Sequence, residues 1–281
     1  YILPKLGTMK ISSIKPIHIQ QLANELGKTL MPNTVNICMK CLRKSLSLAE
    51  KWQFIKESPY KHIELPKPQK TNHAELLSID EIKTLLQHYS TETNLLHKTA
   101  FYLAIGCGLR NSEIRALTID DIDLENGILT IDKQIAEIRN ELGEVVEGVS
   151  SPKTTSSIRK IYIPDFIISI LDNYINSLPF IPPSKQIFYS LSTGRPILKH
   201  TLSKRFRYTC ESIGITPIRF HDLRHLQATL LIHSNINVQA ISKRLGHSDI
   251  QTTLNVYTHS LDAVDKEVAT SINTTFEDLS K

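Results

Sequence analysis

Apolar side chains in the first fifty residues recur at the spacing of a single helix face. Ile19, Leu22, Ala23 and Leu26 follow Pro16, which suits a first helical turn, and Gly27 suits an end, so a helix is expected over residues 16–27. A longer helix is expected from about Asn33 to Trp52, with Val35, Cys38, Leu42, Leu46 and Ala49 on its apolar stripe. Leu65, Pro66, Lys67, Pro68, Gln69 and Lys70 then carry no apolar period, as in a linker. Ser78-Ile79-Asp80-Glu81 is a capping box that opens a new helix, with Ile79, Ile82, Leu85 and Leu86 as its buried side. Helical patterning continues to Cys107. The stretches from Gly127 to Ile131 and from Arg159 to Ile163 alternate with the period of strands, and from Asp165 onward the pattern is again mostly helical. The fold class expected is therefore mostly α with a small β-sheet. A helical domain over residues 1–66 is followed by a linker at 67–75 and a mixed α/β domain at 76–281. Val264, Val268, Ala269, Ile272, Phe276 and Leu279 give the tail at 261–281 an amphipathic stripe, which can pack on a neighbouring protomer or on its own domain. There is no internal repeat or low-complexity tract.

Composition adds where the charge lies. The chain of 281 residues has a net charge of +5, yet residues 1–75 hold 12 Lys and Arg against 5 Asp and Glu, a balance of +7. A basic first quarter suits a polyanionic partner, the alternative being an ordinary solvated surface. Arg195, Lys199, Lys204, Arg205 and Arg207 form a second basic cluster with no acid among them, which favours phosphate binding. No apolar run approaches the roughly 20 residues that span a bilayer, and no signal peptide opens the chain. A cytoplasmic location with reduced thiols is the default. Cys38 and Cys41 have the spacing of half a zinc or redox site, but no second pair completes it, and both fall in a helical apolar pattern that places them in a core. The chain opens on Tyr1 and reads like the middle of something, so an upstream segment is expected.

Several residues bear chemistry. Arg110, in Gly108-Leu109-Arg110-Asn111-Ser112-Glu113, stands where a helix begins, and its guanidinium suits a phosphate; it can equally pair with Glu113. His221 and Arg224 share a helix face three residues apart, able to reach one phosphate or to form a structural pair. His221 and His225 also have the i, i+4 spacing of zinc hydrolases, but that motif needs Glu after the first His and here Asp222 follows. His247 stands after Gly246 at a helix-to-helix turn, and Tyr257 falls ten residues later on the next helix. Lys153 lies in a loop just before a strand, where a lysine is usually only solvated.

Taken together, Gly106-Cys107-Gly108-Leu109-Arg110, His221-Asp222-Leu223-Arg224-His225 and Gly246-His247 through Tyr257 resemble the active-site motifs of tyrosine recombinases, the phage-integrase family. The likeness covers almost the whole chain. It implies a helical, SAM-like core-binding domain and a mixed α/β catalytic domain that clamp duplex DNA. It also implies a site of Arg110, Lys153, His221, Arg224, His247 and Tyr257. By resemblance, Tyr257 attacks the scissile phosphate to leave a 3′-phosphotyrosyl bond, and Lys153 protonates the leaving 5′-oxygen, with no metal or other cofactor. Partners implied are double-stranded DNA at recombination or attachment sites and a homo-tetramer on two duplexes, with an excisionase and a host DNA-bending protein as further candidates and no membrane. Integration and excision of an element of phage or conjugative-transposon type is the activity expected. A Xer-like dimer resolvase, a type IB topoisomerase and a non-catalytic DNA-binding regulator are the alternatives. Cys107 stands where the family commonly has threonine, and Leu226 follows His225 where a small polar residue is usual; neither touches a proposed chemical group.

Overall fold

The structure, a computed structural model, describes residues 1–67, 77–141, 143–152 and 154–246. They cluster into two units, Tyr1–Glu75 and Leu76–Lys281.

In the first unit a short α1 (Leu3–Leu6) precedes two long helices, α2 (Pro16–Thr29) and α3 (Pro32–Lys51). Each long helix starts on a proline, whose missing N–H costs nothing in a first turn. α2 buries Ile19, Leu22, Ala23 and Leu26 against Val35, Met39, Leu42, Leu46 and Ala49 of α3, with Leu6 and Ile55 closing the core. Gly27 does not end α2. The helix runs on to Thr29 and stops because Met31 precedes Pro32, which drives the backbone there into the extended region. Met39, not Cys38, occupies the buried position on α3; Cys38 is half-buried and Cys41 exposed. The stretch after α3 folds back, with the Gln20 side chain both donating to the Glu64 carbonyl (3.0 Å) and accepting the Glu64 N–H (2.8 Å). All the described Lys and Arg of this unit are exposed, and two of them, Lys5 and Lys61, are paired with Glu25 and Glu57.

In the second unit α4 (Ile79–Thr91) starts on the expected capping box, the Ser78 hydroxyl accepting the Glu81 N–H and the Glu81 carboxylate accepting the Ser78 N–H. Its buried face is Ile82, Leu85 and Tyr89. Ile79 and Leu86 are exposed instead, Ile79 because it sits in the solvent-facing first turn. α5 (Leu95–Gly106) is buried from Thr99 through Ile105 without a polar stripe, which makes it the central helix of the unit. α6 (Asn111–Ala116) follows, then β1 (Ile122–Asp123), β2 (Ile128–Ile131), β3 (Gln134–Arg139), β4 (Val145–Ser150) and β5 (Arg159–Tyr162). An antiparallel sheet has the order β1-β2-β5, and β3 and β4 form a separate hairpin. In the sheet Leu129 faces Ile161 and Ile131 faces Arg159. α7 (Asp165–Asn176), α8 (Thr201–Ser212), α9 (Asp222–His233) and α10 (Val238–Leu245) complete the described fold. α5 packs against α4, α6, α7, α8 and α9, while α10 packs against α9 and β5. Between α7 and α8 the chain is irregular, joined to the segment after α6 by a bridge of Gln186 with Thr118 and closed on itself by one of Tyr189 with Pro196. Among the described residues no helix is long and apolar enough to cross a membrane.

Candidate active site

The turn from α5 into α6 sets the first candidate arginine. Gly108 has φ +69°, a conformation that favours glycine, and two residues later Arg110 caps α6. The Glu113 carboxylate, one turn on, accepts the Arg110 N–H at 2.8 Å and its Nη1 at 2.6 Å. The pairing of Arg110 with Glu113 that the sequence allowed is therefore present. His221 stands at the N-cap position of α9 without a side-chain cap bond, and Asp222 next to it is bonded to Arg219 at 2.7 Å. Arg224, 1% exposed, lies one turn into α9 and donates through Nη1 to the Gly108 carbonyl and through Nη2 to the Leu245 carbonyl.

These bonds converge on the end of α10. The last carbonyls of a helix lack intrahelical partners and carry the negative end of its dipole. Here three in succession each accept from a different arginine: Arg244 from Arg159 Nε (2.8 Å), Leu245 from Arg224 Nη2, and Gly246 from Arg110 Nη2 (3.2 Å). Arg159 reaches Glu113 as well, donating from Nη1 and Nη2 to the two carboxylate oxygens at 3.0 Å each.

Cations therefore outnumber anions. Burial alone would raise the Glu113 carboxyl, but the bonds and charges of Arg159 and Arg110 outweigh it and hold it down at about 2. For Arg224, burial and then the charge of Arg110 weigh against its own charge, and Glu113 compensates in part. His221 as a residue is exposed, while desolvation of its ring, followed by His225, Arg224 and Arg110, pulls its imidazole down to about 4. Burial and the neighbouring cations act in the same direction, with Asp222 opposing, so both favour the neutral imidazole. Its ring meets that of His225 edge-on at 5.1 Å. Arg110 and His221 line a cavity of about 1080 Å³ together with Arg115, Lys199, Arg207 and Arg219. Glu137 and Glu147 also line it, facing Lys199 and Arg115, so its cations outnumber its carboxylates, and a phosphodiester supplies a further anion with oxygens matched to paired N–H donors. Among the described residues no group of three or more His, Cys, Asp or Glu is arranged to hold a metal ion.

Three of the six sequence candidates, Arg110, His221 and Arg224, are thus brought together. Lys153, His247 and Tyr257 lie outside the described residues, as does the tail at 261–281. By chain connectivity His247 directly follows Gly246, whose carbonyl Arg110 holds. The second basic cluster is less free than its sequence implied, because two distant acids and one from its own helix reach it. Lys199 pairs with Glu137 (3.7 Å), Arg205 with Glu92 (3.2 Å) and Arg207 with Glu211 (2.9 Å). Cys107 is a core residue whose thiol burial pushes up to about 12, and Leu226 is fully packed.

The sequence reading passed over Arg159 and Arg115. Arg159 shares the inward face of its strand with Ile161 and Ile163, and an arginine in that register requires buried partners, a signal that was present. Arg115 is equally buried and forks onto Glu147 of the β3–β4 hairpin at 2.5 and 3.0 Å.

The profile described as Phage integrase family matches residues 75–263, well over half of the chain. The chain belongs to the phage integrase family. With that membership it is a tyrosine site-specific recombinase, an enzyme of DNA strand breakage and rejoining. A second profile, Phage integrase, N-terminal SAM-like domain, matches residues 1–27. This recombinase is 29% identical over 271 residues to the ICEBs1 integrase of Bacillus subtilis, covering 94% of this chain and 72% of that one. It is 28% identical over 296 residues to a Tyrosine recombinase XerC-like protein of Caldanaerobacter subterraneus subsp. tengcongensis, covering 97% and 74%. The fold is similar to that of the Tn1549 transposon integrase, solved in complex with transposon right end DNA. The TM-score is 0.77 at 24% identity, over 94% of this chain and 89% of that one.

Proposed function

We propose that this recombinase binds duplex DNA at a specific site and integrates or excises a mobile element through a 3′-phosphotyrosyl intermediate. The observation that carries the reading is the excess of cations where Arg110 and Arg224 hold the end of α10 and together act on the His221 imidazole. In that reading the two guanidiniums neutralise the non-bridging oxygens of the scissile phosphate. Arg224 has given two of its five N–H groups to the Gly108 and Leu245 carbonyls, which aim the remainder. The Tyr257 oxygen forms a bond to phosphorus as the P–O5′ bond breaks. The tyrosine proton passes to His221, whose lone pair is free at neutral pH, and Lys153 gives a proton to the departing 5′-oxygen. His247, directly after the turn that Arg110 holds, donates to the phosphate. A 5′-hydroxyl from a second duplex reverses each step, so the bond energy is conserved. The exposed cations of residues 1–67 supply phosphate contacts on the flanking DNA, and four protomers hold two duplexes, with an excisionase and a host DNA-bending protein as accessory partners. Dimer resolution is the second reading, favoured by the likeness to a XerC-like protein.

The test is a pair of variants on two substrates. Lys153→Ala and Arg224→Ala should each slow cleavage, the lysine by roughly 10²–10⁴ for a lost proton transfer. On DNA with sulfur at the 5′-bridging position the leaving group needs no proton, so Lys153→Ala recovers and Arg224→Ala does not. Equal behaviour of the two on both substrates contradicts the assigned roles.

A further inference from the structure

Arg159 is the third arginine on the α10 terminus, and its side chain, only 5% exposed, is committed to partners within the protein. Its bonds join three segments. Nη1 and Nη2 grip Glu113 at 3.0 Å each, Nε holds the Arg244 carbonyl at 2.8 Å, and Nη1 also reaches the Ser157 carbonyl at 3.1 Å. Each segment leads to a group in the proposed chemistry. Glu113 holds Arg110, Ser157 follows Lys153 by four residues, and Arg244 precedes His247 by three. The turn is fitted to this side chain: a Cβ on Gly246, where φ is +65°, would come within 3.2 Å of Arg159 Cδ and Nη1 and 2.9 Å of the Ser156 carbonyl. A buried ion pair is by itself weak evidence for stability, since apolar residues of similar volume often serve as well. A planar fork that meets three segments at once does something an apolar residue cannot: it fixes their relative register.

We propose that Arg159 is a positioning residue for strand cleavage, setting the turn that carries His247 against the Glu113–Arg110 pair. The inference rests on the reading of Arg110 and His247 given above. Displacement of positioned groups by about 1 Å costs on the order of 10²-fold in rate. Arg159→Lys keeps a cation for Glu113 but cannot span to the Arg244 and Ser157 carbonyls. Gly246→Ala presses the turn away from Arg159 without altering any charge.

The experiment measures single-turnover cleavage at saturating DNA, below the melting temperature of every protein compared, alongside DNA affinity. Both variants should bind DNA within about threefold of the parent yet cleave roughly 10- to 100-fold more slowly. The loss should persist on the 5′-bridging sulfur substrate, because the defect lies in the phosphate pocket and not in proton donation. A purely structural role predicts parental cleavage by the folded, DNA-bound fraction, and that result overturns the inference. Recovery on the sulfur substrate overturns it as well, since Arg159 would then act only through Lys153. If Arg159→Lys does not fold, Gly246→Ala decides by the same criteria. A parent that does not cleave, or a Lys153→Ala variant that does not recover on sulfur, overturns the underlying reading; a parental rate in the two variants beside a recovering Lys153→Ala overturns this inference alone.

Discussion

Replacing Gly108 by alanine probes the packing that aims Arg224. The residue has φ +69°, and a Cβ there would lie 2.1 Å from Gln227 Oε1 and 2.4 Å from Leu245 Cδ2, both far inside contact distance. Holding alanine in the left-handed region costs roughly 1–2 kcal/mol. Forcing a methyl into a filled site costs about 1–3 kcal/mol more. Gln227 is buried and donates to the Gly106 carbonyl at 2.6 Å, so its displacement adds on the order of 1 kcal/mol. The sum is about 3–6 kcal/mol, which in a domain of this size lowers Tm by roughly 6–24 °C. The Gly108 carbonyl is also the acceptor for Arg224 Nη1, so cleavage should fall even at temperatures where the variant is folded. Thermal and urea unfolding of parent and variant, followed by circular dichroism, give the first quantity and single-turnover cleavage the second. A stability loss below about 1 kcal/mol would show that the α5–α6 turn relaxes freely and that Arg224 is aimed by something else.

Gly27→Ala should act in the opposite direction, stabilising the first unit by roughly 0.5–1 kcal/mol, because Gly27 lies inside α2 with nothing within 4 Å of the added methyl; a destabilised variant in urea unfolding would contradict this. His221 sits at about 4 in the folded protein against about 6.5 when unfolded, so the unfolded chain takes up its proton first and stability falls as pH drops from about 6.5 to about 4. His221→Gln should lose less stability than the parent between pH 7.5 and 4.5, and an equal loss would refute the assignment. Neutralising exposed Lys40, Arg43 and Lys44 of α3 with glutamine should flatten the salt dependence of DNA binding, by up to about 0.9 in log–log slope for each phosphate no longer neutralised; an unchanged slope places these side chains away from DNA.

Helices such as α2 and α4 were legible because each buries one face. Ile19, Leu22, Ala23 and Leu26, the Ser78–Glu81 box and the alternation in β2 and β5 all reappear where the pattern put them. The β3–β4 hairpin was not foreseen, and the burial pattern explains why. Ile138, Val145, Val146 and Val149 are exposed and only Ile135 is buried, so the hairpin has no hydrophobic face to impose a period on its sequence. Gly27 misled because a glycine alone does not end a helix, whereas Pro32 does so through the residue before it. Arg110, His221 and Arg224, singled out because phosphate chemistry restricts the residue types, are brought together by the fold. The Arg159–Glu113 pair was harder, being a long-range contact between residues 46 apart: the strand register signals that Arg159 is buried but not which acid meets it. Pairing of Arg205 with Glu92, across 113 positions, escaped for the same reason.

The central claim is that a tyrosine, served by arginine, histidine and lysine, becomes covalently joined to DNA. The direct measurement uses a nicked attachment-site duplex whose cleavage releases a short fragment and traps the intermediate, in the presence of EDTA. The trapped complex is digested with protease and nuclease and the DNA-linked peptide sequenced by mass spectrometry. The account predicts a 3′-phosphate ester on Tyr257, a free 5′-hydroxyl on the released fragment, and no adduct with Tyr257→Phe, which still binds the site. An adduct on Tyr162 or Tyr208, a 5′-phosphate linkage, or cleavage that EDTA abolishes and a divalent metal restores, would contradict it.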